Sequence, residues 1–230
     1  MTFGPLPLDT FAGSFLLAFP ALFSIVNPIG AALVFYNQTA AQAHAERVAL
    51  ARQIAAYALL LLLGSIWGGG YAINFFGVSL GALRVGGGLV VAVNAWGLLM
   101  APGPPPSNAE APPETASELS SKAFFPLTMP LTTGPGSISV AIALASDRPA
   151  TGQGVLSFFI GLSAAAVLMV VVIFVLYAAS DRVLRLVGDR AAGVISRLTA
   201  FLLLCIGVQI LADGAEALLA PWVIHTVRQV

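Results

Sequence analysis

Six long apolar runs separate the short clusters of charge along this chain, with approximate limits 11–41, 53–76, 79–100, 123–146, 153–178 and 195–220. A membrane-spanning helix needs about 20 apolar residues. Each run therefore predicts one span, and the first is long enough for two half-helices in series. Proline and glycine interrupt two of the runs, as Asn27-Pro28-Ile29-Gly30 in the first and Gly134-Pro135-Gly136-Ser137 in the fourth. Both breaks lie in stretches without a formal charge, Thr10–Ala43 and Ala123–Ser146. Backbone groups freed inside a bilayer have no water to bond, so a break persists where it is packed in protein or lines a cavity. Paired breaks in corresponding halves of a chain point to a transporter's binding site.

Residues 101–122 form the one substantial polar linker, with Pro102, Pro104, Pro105, Pro106, Pro112 and Pro113 beside Glu110, Glu114 and Glu118. Such a segment cannot bury a core and reads as a mobile linker. It divides the chain into a first repeat of three spans over 1–100 and a second over 123–230. Aligning Pro28 with Pro135 sets Asn27 on Gly134 and Gly30 on Ser137. Arg84 then opens the third span and Arg197 the sixth, 56 and 62 residues beyond their prolines. Two halves of three spans each must insert in opposite senses. The predicted fold is thus an all-α membrane protein of six transmembrane helices, arranged as two inverted three-helix repeats, with the first and fourth helices broken at the midplane.

Loops on the side opposite the termini would carry Arg47, Arg52, Lys122, Arg182, Arg185, Arg190 and Arg197. The side of the termini would carry Arg84, Arg148 and Arg228. Excess positive charge marks the cytoplasmic side, which places the 101–122 linker in the cytoplasm and both termini outside. The N-terminal segment, without Lys or Arg before a long apolar run, reads as a retained span rather than a cleaved signal.

Composition sharpens this. The chain is 58% hydrophobic and 9% charged, with a mean hydropathy of +0.94 and no net charge. A soluble domain usually carries about 25% charge, and no basic surface suggests nucleic acid. The single cysteine, Cys205, excludes a disulfide within the chain.

The breaks suggest their own chemistry. Asn is a favoured N-cap and Pro a favoured first helical residue, so a helix should begin at Pro28 with free N–H groups and a positive dipole end. Gly30 would admit a ligand close to that backbone. Pro28 leaves the carbonyl of Ser24 without its helical donor, and Pro135 does the same for Leu131. Thr132 and Thr133 precede the second break, and Ser137 and Ser139 follow it. Amide donors suit a carboxylate and freed carbonyls suit an ammonium group or a cation. A small zwitterion matches both without a buried countercharge. The candidate substrate-binding residues are Ser24, Asn27, Pro28, Gly30, Thr132, Thr133, Gly134, Pro135, Gly136 and Ser137. Alternatively these groups bond one another and form a structural kink.

Arg84 and Arg197 read first as snorkelling residues at helix ends, and second as gating residues between the repeats. Asn94 and Gln209 read as interhelical glue, and Asp213 and Glu216 as solvated at the outer interface. His44 and Glu46 read as solvated on a polar loop. Gly64 with Gly68, Gly77 with Gly81, and Gly86-Gly87-Gly88 predict close helix packing. No Walker motif, metal-ligand spacing or intramembrane nucleophile–histidine pair is present, so neither a catalytic residue, a metal nor a cofactor is expected. Buried carboxylates of the kind that relay protons are missing too, so an ion coupled to transport would be held by backbone carbonyls.

These residues resemble the MarC/SnatA family of bacterial membrane proteins. The resemblance rests on Pro20 to Gly30, on Phe76-Gly77-Val78-Ser79-Leu80 leading to Arg84-Val85-Gly86-Gly87-Gly88, and on Pro126-Leu127 to Pro130-Leu131. It continues through Gly134 to Ser139, Arg197-Leu198 and Gly207-Val208-Gln209-Ile210. Thr132, Thr133 and the long proline-rich linker depart from the pattern. The resemblance implies a six-span protein of the bacterial cytoplasmic (inner) membrane. Its SnatA branch is associated with small neutral amino acids, glycine and alanine foremost. Carried over by position, it points to Asn27, Pro28, Gly30, Gly134, Pro135 and Gly136. The reading is a secondary transporter working by alternating access in the lipid bilayer, with a coupling cation and a homo-oligomer both compatible. The alternatives are an exporter of another small polar metabolite and a non-transporting scaffold or stress-related protein.

Overall fold

The structure, a computed structural model, describes residues 9–39, 41–100, 123–149, 152, 154–182 and 189–227. The proline-rich linker of 101–122 lies outside them. The described residues form eight helical elements: α1 (Phe11–Val26), α2 (Pro28–Gln38), α3 (His44–Phe75), α4 (Leu80–Met100), α5 (Ala123–Thr132), α6 (Pro135–Ser146), α7 (Val155–Ala178) and α8 (Asp189–Val227).

Among the described residues, five helical stretches are long and apolar enough to cross a membrane: Phe11–Tyr36, His44–Phe75, Leu80–Met100, Val155–Ala178 and Ala200–Leu219. The fourth apolar run, where a break was expected, is not among them. It is split into α5, whose bonds follow a π-helical pattern, and the 12-residue α6. The cause is local. Phe125 (φ −129°, ψ 121°) and Met129 (φ −116°, ψ 118°) are extended, and each precedes a proline, whose ring pushes the residue before it out of the helical region. Pro126 and Pro130 also remove two N–H donors from the segment. The hydroxyls of Thr128 and Thr132 supply two, donating to the carbonyls of Ala123 and Leu127 at 2.6 Å each.

The second span also differs. Charge predicts a start near 53, yet α3 begins at His44. Glu46 stabilises that start by accepting the Ala43 N–H at 3.1 Å, and Arg47 finds an acidic partner in Asp181, just past the end of α7. His44 and Glu46 are therefore residues of the first helical turn, not of a loop.

The core lies between α1, α2, α3, α5, α6 and α7. Leu22, Phe35, Ile54, Leu62, Phe158, Leu162, Met169 and Tyr177 are fully buried there. Helices α4 and α8 pack chiefly against each other and rest on the remainder mainly through α6 and α2. Their seam is made of glycines in antiparallel order. A Cβ on Gly88 would stand 2.6 Å from the carbonyl oxygen of Gly207, and one on Gly214 would stand 2.8 Å from that of Gly81. Small residues allow such backbone contact in a bilayer. Gly64, Gly68 and Gly86, predicted as packing positions, face open space, whereas Gly87 and Gly88 are in contact.

The helix contacts repeat themselves when the first four elements are exchanged for the last four. The α1–α7 contact has its counterpart in α5–α3, α3–α6 in α7–α2, α4–α6 in α8–α2, and α1–α6 in α5–α2. The α3–α7 and α4–α8 contacts map onto themselves.

Candidate functional site

The two breaks are built differently. At the first, one residue separates two helices. Asn27 is left-handed (φ 45°, ψ 63°), ends α1 through its N–H to the Phe23 carbonyl at 3.0 Å, and caps α2 with its side chain. Asn tolerates this conformation better than most residues. Its Oδ1 accepts from the Gly30 N–H at 3.4 Å, and its carbonyl accepts from Ala31 at 2.9 Å. With Pro28 lacking a donor, the start of α2 is largely closed by Asn27 itself.

At the second break the corresponding residue is Gly134, extended and without a side chain to cap with. Its carbonyl accepts from Ile138 N–H at 3.1 Å and from the Ser137 hydroxyl at 2.9 Å. Among the described residues no side chain accepts from the first-turn N–H groups of Gly136 and Ser137, which leaves the positive end of α6 uncapped.

That end opens on a cavity of about 340 Å³. Its walls combine Ile25 and Val26 at the end of α1, Gln38 at the end of α2, Val90 to Leu98 of α4, Leu131 and Thr132, the second break, and Leu203 of α8. Among the described residues no charged side chain lines it. Its polar groups are Gln38, Asn94, Thr132, Ser137 and the backbone around Gly134 and Pro135. Asn94 holds its amide nitrogen on the Val90 carbonyl at 2.9 Å, which leaves its Oδ1 as an acceptor.

The structure thus brings Thr132, Gly134, Pro135 and Ser137 of the predicted set to one cavity. Asn27, Pro28, Gly30, Thr133 and Gly136 lie beside it without lining it, and Ser24 is exposed. Thr133 is buried, and its hydroxyl has no hydrogen-bond partner. Asn94 and Gln38 join the walls. An amide deep in a span usually bonds a neighbouring helix, the role its position in the sequence suggests for Asn94. Its position one turn past Val90, on the face α4 turns to α6, places it in the cavity. Arg84 is half-buried and Arg197 exposed; neither lines this cavity.

Thr132 links the cavity to the core. Its oxygen lies 2.8 Å from the phenol of Tyr177, whose ring stacks on Phe35 at 4.4 Å between centroids. Near the far end of α7, Asp181 accepts from Arg47 at 2.8 Å and contacts His44 at 2.8 Å. The Arg47 guanidinium is buried and lies over the Tyr36 ring, 5.0 Å from its centre. This cluster ties α3 to the end of α7.

A model described as the MarC family of integral membrane proteins matches residues 12–219. The chain belongs to the MarC family. Relatives agree over most of its length. A UPF0056 membrane protein of Archaeoglobus fulgidus is 31% identical over 207 residues, 90% of this chain and 94% of the relative. One from Methanocaldococcus jannaschii is 31% identical over 209 residues, 89% and 97% of the two chains. The UPF0056 inner membrane protein MarC of Salmonella typhimurium is 31% identical over 209 residues, 86% and 92%. No solved structure matches the chain. This MarC-family chain is therefore an integral membrane protein with several apolar spans, and its uncharged cavity sits at the more open of its two helix breaks.

Proposed function

We propose that this chain is a secondary transporter of small neutral amino acids, of glycine or alanine size, working by alternating access across the cytoplasmic membrane. The observation that carries the reading is the cavity at the second break. It is about 340 Å³, at the small end of ligand pockets, which run from about 300 to 1,000 Å³. Its donors are the uncapped amides of α6, suited to a carboxylate. Its acceptors are the Asn94 amide oxygen and the hydroxyl oxygens of Thr132 and Ser137, suited to an ammonium group. Apolar walls from Val90, Val91 and Val93 leave little accommodation for a charged side chain.

The inverted-repeat reading supports the same function. The exchange of helix contacts between halves is what two oppositely inserted three-helix units would produce. In that frame α4 and α8 form a pair that moves against the remaining core, because they meet it mainly through α6 and α2. Both termini lie outside in this reading, which the distribution of arginines supports.

Accessibility labelling tests the reading. Cys205 is exposed and is first replaced by Ser, and Val93→Cys then introduces a thiol on the cavity wall. Glycine or alanine should slow modification by a water-soluble thiol reagent, whereas a large cationic amino acid should not. Equal labelling with and without every small amino acid would remove the cavity as their site.

A further inference from the structure

A second cavity, of about 540 Å³, lies between α4, α6 and α8 on the other side of the contact that Gly87 makes with α6. Its polar lining is Arg84, Ser139, Asp147, Asp213 and Glu216. Three carboxylates face one guanidinium. The described ion pairs all involve Asp181, so Arg84 lies more than 4 Å from each carboxylate and neutralises none of them by direct pairing. Asp147 also follows the C-terminus of α6, where the helix dipole adds negative potential.

The second observation is Ser139. Its hydroxyl is fully buried and has no hydrogen-bond partner. Four other helical serines turn back to the carbonyl four residues earlier: Ser14 to Thr10 at 2.9 Å, Ser65 to Leu61 at 2.6 Å, Ser146 to Ile142 at 2.8 Å and Ser163 to Phe159 at 2.7 Å. Ser139 does not, and it forms part of the floor of this cavity. A buried hydroxyl without a partner is costly, and a ligand that donates a proton to it relieves the cost. Among the described residues no three acidic, histidine or cysteine side chains stand close enough to hold a metal ion.

We infer that this cavity is a vestibule that binds a primary ammonium group, drawn in by Asp147, Asp213 and Glu216 and bonded at its floor by the Ser139 hydroxyl. Helix α6 joins the two cavities, with Ser139 at one and Ser137 at the other, and Gly87 closes the space between them. The inference goes beyond the transport reading and does not depend on it.

Equilibrium binding of methylammonium to the purified full chain, in detergent and without a membrane gradient, tests it, with sodium and glycine as further probes. Methylammonium should bind saturably. Binding should weaken about tenfold or more in Ser139→Ala and in the Asp213→Asn, Glu216→Gln double variant, the size expected for a lost hydrogen bond to a charged group. Arg84→Gln should strengthen it by removing a like charge. Glycine should compete, since it carries the same group. Monodisperse gel filtration and an unchanged unfolding temperature establish that each variant is folded. Saturable binding of sodium without methylammonium, no binding of either, or equal binding in every folded variant overturns the inference. Loss of methylammonium binding alongside intact glycine exchange in liposomes overturns it alone. Intact binding without exchange overturns the transport reading alone.

Discussion

The hydroxyl oxygen of Thr132 stands 2.8 Å from the phenol oxygen of Tyr177, and their bond has a defined direction. The single proton of Thr132 is committed to the Leu127 carbonyl at 2.6 Å, so Tyr177 donates and Thr132 accepts. The bond joins the lip of the cavity to a buried ring that stacks on α2. Thr132→Val removes both bonds and strands the Tyr177 hydroxyl in the core. The expected cost is about 1–3 kcal/mol, and Tyr177→Phe should cost less because it removes the stranded group as well. Thermal unfolding of the two variants in the same detergent checks the order; equal stability of both with the parent would contradict it.

Asn27 is held in a conformation that most residues adopt only at a cost of about 1–2 kcal/mol. Asn27→Gly keeps the left-handed backbone while losing the cap, and a Gly cap costs only a few tenths of a kcal/mol. Asn27→Ala loses both. Because Asn27 does not line the cavity, Asn27→Gly should retain substrate protection of the Val93→Cys thiol. Asn27→Ala should lower stability by about 1–3 kcal/mol. Loss of protection in a stable Asn27→Gly variant would return Asn27 to the binding site.

Three successive glycines of α4 should respond differently to the same methyl group. A Cβ on Gly86 meets nothing within 4 Å, one on Gly87 stands 3.1 Å from the Pro135 carbonyl oxygen, and one on Gly88 stands 2.6 Å from that of Gly207. Gly86→Ala should be neutral or slightly stabilising, as Ala outscores Gly in a helix by about 1 kcal/mol. Gly88→Ala should force α4 from α8 and lower the unfolding temperature most. Gly87→Ala should fold but slow exchange, since it wedges the contact between the two cavities. A uniform response along the three positions would remove this account of the seam.

The buried Arg47 guanidinium relies on Asp181. Asp181→Asn should destabilise the fold by about 3 kcal/mol, because a buried charge loses its partner. An Arg47→Met, Asp181→Leu double variant should recover much of that loss. Urea or thermal unfolding of the single and double variants reads the difference, and equal losses in both would contradict a paired charge.

Much of this was legible in residue order. Asn27-Pro28 announced a cap followed by a first helical residue, and the cap is present. The apolar runs placed α1 with α2, α4 and α7 to within a few residues. Charge proved a poor boundary where it is paired, since Glu46 and Arg47 lie inside α3. The shape of α5 was also written in the chain, because Phe125 and Met129 each precede a proline. Spacing cannot show which side of a helix meets a cavity. Asn94 therefore reads as an ordinary polar residue of a span until α4 and α6 are brought together. The Asn27 break closes on its own side chain and the Gly134 break cannot, a difference that follows from one side chain.

Counterflow of labelled glycine and alanine in liposomes containing the purified chain tests the central claim most directly, with Thr132→Val and Ser137→Ala beside the parent. The account predicts saturable exchange by the parent that each substitution reduces by about tenfold, while an inserted Gly86→Ala control exchanges normally. Folded, inserted parent protein that exchanges neither amino acid would contradict it.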